Sequence, residues 1–225
     1  MKLVVCGDSF MSADTSRPNT HFSEILQNQG HTVVNLARGG ISNTGIAFQL
    51  EVASKLKPDA VIFSSTDHNR IDLVVGEFYP SIGLKNFIYP YVSDSSTGSK
   101  YVGGLNAAIM SDPIIAQLST RLDLPIELHD PNQISAVKQY VSWFHSEPFK
   151  RILDQWLIGY WKYKLTEIKL PYIHLYQNGP VGQHMYNYTQ QYPEKRNQCV
   201  YHTDEHTQLL MAQELNIELK KLIIL

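Results

Sequence analysis

Apolar residues along this chain follow two alternating rhythms. Residues Lys2–Cys6 form a short apolar, β-branched run that stops at Gly7, the pattern of a strand buried on both faces of a parallel sheet. Phe22, Ile25 and Leu26 then recur at helical spacing, and Gly30 closes that segment as a glycine just past a helix end does. Residues 32–36 predict a second strand. From Ser42 or Asn43, each a good N-cap residue, a helix carries Ile46, Leu50, Ala53 and Leu56 on one face, and Pro58 with Asp59 stops it. Residues 60–63 predict a third strand. A fourth, 172–176, follows Pro171, and a last helix starts near Asp204 and runs through Leu209, Leu210, Met211 and Leu215.

Strand and helix alternating in this way are the repeat of a parallel sheet, and right-handed crossovers make the predicted fold α/β and doubly wound. Between the third and fourth strands lies a connection of about a hundred residues, long for a link inside one domain. Its first half is rich in turns and aromatics, with Tyr79, Tyr89 and Tyr91 as candidates to face a substrate, and residues 93–100 read as a low-complexity, mobile stretch. Its second half carries Phe149, Ile152, Leu153, Trp156, Tyr160 and Tyr163 as one apolar stripe, expected to be the buried side of a helical lid. At 225 residues the chain fits one domain, 1–225, with 76–168 as an insertion or lid within it. Residues 222–225 are expected to pack on the core.

Charge and composition narrow the partners. A net charge of −2 lacks the basic footprint of a nucleic-acid binder, so no nucleic-acid partner is expected. No stretch approaches the roughly 20 apolar residues of a membrane helix, so no membrane span is expected either. The opening apolar run meets Gly7 and Asp8 too soon for a secretory signal, which points to a cytoplasmic protein or one released without a signal peptide, for example in a virus particle. Two cysteines, Cys6 and Cys199, read as free thiols rather than a disulfide framework.

Three places carry chemistry. Ser9, in Gly7-Asp8-Ser9-Phe10, lies just beyond the first strand, where open parallel sheets bind ligands, and the glycine permits the tight turn that presents a hydroxyl and an amide. After the second strand, Ala37-Arg38-Gly39-Gly40-Ile41-Ser42 offers a glycine whose N–H can face an oxyanion. Near the C-terminal end, His202-Thr203-Asp204-Glu205-His206 places an imidazole ahead of the last helix, with Asp204 able to cap it. Spaced four apart, His202 and His206 also suit a metal on a helix. However, no Glu sits between them in the metalloprotease arrangement, and His202 precedes the helix, so no metal is expected.

In this order the three elements resemble the GDSL/SGNH hydrolase family of esterases and acylhydrolases on a flavodoxin-like sheet. Ser9 matches the nucleophile of the first block, with Asp8 before it and Phe10 where leucine is usual. Gly40 matches the glycine of the second block. Setting His202 on the family base places Met211-Ala212 and Leu215 on the expected helix positions, whereas His206 breaks that register. Two positions depart. Cys199 stands where the family has the Asp that orients the base, and Thr66 stands at the oxyanion Asn of the third block, with Asn69 an alternative donor.

The resemblance implies a flavodoxin-like three-layer sandwich and acyl transfer to water through Ser9 and His202. An oxyanion hole would come from Ser9, Gly40 and Thr66 or Asn69, with no cofactor and no metal. The implied substrate is a small ester, with O-acetyl groups on a carbohydrate the leading class. Ser9, Gly40 and His202 favour this reading, whereas Cys199 and Thr66 favour a second, a weakly active or inactive binding or structural module, for example of a viral particle.

Overall fold

The first strand, β1 (Lys2–Cys6), sits inside a four-stranded all-parallel sheet with β2 (Thr32–Asn35), β3 (Ala60–Ser64) and β6 (Tyr172–Leu175), in the order β2-β1-β3-β6. Both edges of β1 are paired: Leu3 lies opposite Val33 on one side and Ala60 on the other. On the far side of β3, Val61 pairs with Tyr172 and Phe63 with His174. The described residues of the computed structural model are 1–13, 17–38, 41–66, 68, 70–75, 100–106, 135, 139, 143–144, 146–175 and 205–223.

Side chains alternate across the sheet. Leu3, Val5, Ala60, Ile62 and Leu175 join one core with Phe22 and Leu26 of α1 (Phe22–Asn28), and with Met211, Ala212, Leu215 and Leu219 of the last helix, Glu205–Ile223. Val4, Cys6, Val61 and Phe63 point the other way and are equally inaccessible, which is why these strands read as unbroken apolar runs. Burial raises the Cys6 thiol far above its usual range, so it packs as a small apolar group. His174 stacks on Phe63 with ring centroids 4.3 Å apart, and burial, with the charge of Lys162, pushes its pKa down to about 3.

The chain clusters into two compact units, one formed by residues 1–39, 49–66 and 159–225, the other by 40–48 and 67–158. The second unit holds a feature the hydrophobic pattern did not reveal, an antiparallel pair of β4 (Arg70–Val75) and β5 (Lys100–Asn106) with an irregularity between Ile71 and Leu73. Neither segment has a clean period-two pattern, and Gly103-Gly104 reads as turn rather than strand. Of the remaining helices, α2 (Asn43–Lys55) starts as its N-cap predicts: the Ser42 hydroxyl accepts the Gly45 N–H at 3.2 Å.

The helix α3 (Glu147–Glu167) corrects one expectation. Phe149, Trp156, Tyr160 and Tyr163 are all more than half exposed, and Ile152 and Leu153 are exposed as well. The buried positions are Asp154, Ile158 and Leu165, a different face of the same helix. Side-chain size marked the stripe, but burial follows a face that includes a carboxylate. Tyr79, Tyr89, Tyr91 and residues 93–99 lie outside the described residues, as do 224–225, while Leu222 packs against the core. Among the described residues, no helix is long and apolar enough to cross a membrane.

A histidine caps α1. His21 Nδ1 accepts the Ser23 N–H at 3.3 Å, and the Glu24 carboxylate accepts the His21 N–H at 3.2 Å, a capping box with imidazole in place of a hydroxyl. With Nδ1 accepting, the ring proton sits on Nε2, which points at the Phe10 carbonyl 3.4 Å away. Burial pushes the His21 pKa down to about 4, against a partial upward pull from that carbonyl.

The unfolded chain therefore binds a proton on this residue at a pH where the native state does not. Its contribution to stability is complete above pH 6.5, the ordinary value, and is lost as pH falls towards 4. His21→Asn keeps a capping side chain without a titrating ring. Urea denaturation of wild type between pH 7 and pH 4 is expected to lose on the order of 3 kcal/mol more than the variant does. Parallel pH profiles for the two proteins would refute the assignment.

Candidate active site

At the carboxyl end of β1 the chain turns sharply, and the residues on both sides of Ser9 are tied to other elements. The turn closes with the Met11 N–H donating to the Asp8 carbonyl at 3.1 Å. Asp8 is fully buried. Its Oδ1 accepts the Phe10 N–H at 3.1 Å, and its Oδ2 accepts the Thr66 hydroxyl at 2.7 Å. The first contact is an aspartate-capped turn, and the second links the loop after β1 to the loop after β3. Asn35, the last residue of β2, donates through Nδ2 to the Met11 carbonyl at 2.8 Å, and its Oδ1 accepts the Ala37 N–H at 2.9 Å.

Gly7 has the tightest surroundings. Its φ of +153° lies outside the range most L-residues adopt, and a Cβ there would run into the Met11 side chain and the Ser64 hydroxyl. Its carbonyl accepts the Arg38 N–H at 3.0 Å. Its N–H donates to Gln49 Oε1 at 2.6 Å, and Gln49 Nε2 donates to its carbonyl at 3.2 Å. Ser9 itself is 9% exposed, so the loop presents it at a nearly closed surface.

The sheet thus brings together Ser9, Asp8 and Thr66 of the residues singled out from sequence. Among the described contacts the Thr66 hydroxyl donates to the Asp8 carboxylate. Gly40, Asn69, Cys199 and His202 lie outside the described residues, and so does Asp204. Gln49 and Asn35 went unnoticed in the sequence. The available signal for Gln49 was a polar residue on the apolar stripe of Ile46, Leu50 and Ala53.

A second polar cluster lies in the other unit. Asp154, 2% exposed, accepts at Oδ2 from Asn43 Nδ2 at 2.9 Å and from His68 Nδ1 at 3.2 Å, while Lys150 Nζ contacts Oδ1. Facing a carboxylate oxygen, His68 Nδ1 is the donor end of this contact. Sequence reading had no means of finding it, since His68 and Asp154 are 86 positions apart. Among the described residues, no group of three or more His, Cys, Asp or Glu side chains could hold a metal ion.

Removing the carboxylate charge in this cluster leaves a largely buried ammonium without its counter-ion. Asp154→Asn is expected to cost about 1–3 kcal/mol of stability in urea denaturation, less than a fully buried pair because Lys150 keeps some solvent contact. A variant as stable as wild type would show that the cluster contributes no net stability.

No protein-family model matches this chain, and none of the curated proteins matches it either.

Proposed function

We propose that this protein is a serine hydrolase that cleaves a small ester, with Ser9 as nucleophile and His202 as base. The observation that carries the reading is the turn after β1. It stands beyond the carboxyl end of an interior parallel strand, and Gly7, Asp8, Phe10 and Met11 around Ser9 are all held by hydrogen bonds. A nucleophile needs such fixed geometry, because attack requires the reacting atoms within about 3–3.5 Å and aligned. The finer architecture belongs to the same proposal: a doubly wound, flavodoxin-like domain over 1–225 with 76–168 as an insertion within it.

In the proposed reaction the Ser9 hydroxyl oxygen attacks the ester carbonyl carbon while His202 takes the hydroxyl proton. The amides of Ser9 and Gly40 face the oxyanion that forms, with the Thr66 hydroxyl or the Asn69 amide as side-chain donor. Collapse of the tetrahedral intermediate expels the alcohol, which leaves with the proton from His202. Water then repeats the sequence on the acyl-enzyme and frees Ser9. The substrate class is a small O-acyl ester, with acetylated carbohydrate as the leading alcohol side.

Ser9→Ala is expected to lower p-nitrophenyl acetate turnover by at least about 1,000-fold at unchanged circular dichroism, and wild type to take up a fluorophosphonate on Ser9. Equal rates in two folded proteins, with no adduct, would overturn the proposal. Cys199→Asp restores a carboxylate at the position that orients His202 in the resembled family, and roughly tenfold or greater gain in kcat is expected. An unchanged kcat would mean that another group orients the base.

A further inference from the structure

Gln49 lies in α2 and is 2% exposed. Leucine or methionine would serve that apolar stripe without bringing an amide out of water, and burying an amide is costly unless its polar atoms are paired. Both ends of this amide meet one residue, Gly7: Oε1 accepts its N–H and Nε2 donates to its carbonyl. These are the two groups that a neighbouring strand would take if β1 went on. The ladder with β2 ends at Val5 opposite Asn35, and that with β3 ends at Cys6 opposite Phe63. At Gly7 the Arg38 N–H from the segment after β2 still reaches the carbonyl, while the Gln49 side chain takes the N–H that no strand serves and shares the carbonyl, setting the direction in which the backbone leaves the sheet.

We infer that Gln49 is a positioning residue for the nucleophile loop, fixing through Gly7 where the hydroxyl and amide of Ser9 point. The inference rests on Ser9 being the nucleophile of the proposed hydrolase. Gly7 cannot take up slack towards Met11 or Ser64, because those side chains fill the space beside its Cα. Once the amide is removed, its N–H has lost its acceptor and its carbonyl keeps only the Arg38 N–H, so the turn rearranges around Asp8. A shift of the nucleophile by about 1 Å costs on the order of 100-fold in rate. The loss falls on kcat, since attack geometry and the oxyanion amide matter in the transition state and hardly in substrate binding.

The test compares Gln49→Leu and Gln49→Glu with Gln208→Leu. Gln208 is another buried glutamine with a backbone partner, accepting the Phe22 N–H at 2.8 Å, so its variant reports the stability cost of losing such a bond. Each protein is assayed for kcat and KM on p-nitrophenyl acetate, for the rate of fluorophosphonate labelling at Ser9, and for urea stability. Gln49→Leu is expected to lower kcat and labelling roughly 10- to 100-fold with KM within about twofold, while Gln208→Leu keeps kcat. Gln49→Glu retains an acceptor for the Gly7 N–H and loses the donor to its carbonyl, and is expected to fall between Gln49→Leu and wild type. If Gln49→Leu does not fold, Gln49→Glu decides alone: reduced kcat at constant KM supports the inference. An active wild type matched in kcat by a folded Gln49 variant overturns this inference and leaves the hydrolase reading standing. A wild type without Ser9-dependent turnover overturns both.

Discussion

An interior parallel strand has to end somewhere, and its last backbone groups then lack the neighbours that served the others. β1 meets this constraint between two strands whose pairing with it ends one residue apart, at Val5 on one side and Cys6 on the other. The solution is local and polar: Gln49 and the Arg38 N–H take the backbone of Gly7, and the Asp8 carboxylate caps the turn while accepting the Thr66 hydroxyl. Each bond contributes only about 1 kcal/mol net, but leaving any of these buried groups unpaired costs more than the bond contributes. The loop is therefore specified chiefly by what its absence would cost. A turn of this kind holds its shape before any ligand arrives, the condition for preorganised chemistry.

The sheet was legible because its signal is coarse. Unbroken apolar runs at 3–6 and 60–63, helix-spaced residues between them, and cap residues such as Ser42 gave the order of most elements and most of their bounds. The β4–β5 pair escaped because antiparallel pairing with an irregularity leaves no simple period, and Gly103-Gly104 argued against a strand. For α3, the bulky side chains suggested the wrong buried face. Asp154 is buried because Lys150, Asn43 and His68 satisfy it, and partners distant in sequence are invisible to a hydropathy pattern.

The site was legible in the same partial way. Ser9 stood out through its glycine and its place after a strand, and Asp8 and Thr66 do meet beside it. Their meeting adds a contact that the residue type of Thr66 did not announce, a hydroxyl donated to a carboxylate. Gln49 was hidden by its surroundings, since a single polar residue on an apolar helix face looks like noise until its partner is known. Side-chain identity indicates what chemistry is available, but only the partner indicates how it is used.

The pairing of β3 with β6 has a consequence for how the chain is made. Val61 meets Tyr172 across roughly 110 residues, so this contact closes a long loop. At ribosomal speeds of about 5–20 residues per second, β3 is complete for roughly 5–20 s before its neighbour is synthesised. During that interval a wholly apolar strand, Ala60 to Phe63, offers an unpaired edge to any other extended chain nearby. Yield of the native protein then depends on the time spent waiting for β6, and slower synthesis or higher nascent-chain density shifts material towards aggregates without altering the stability of the finished fold.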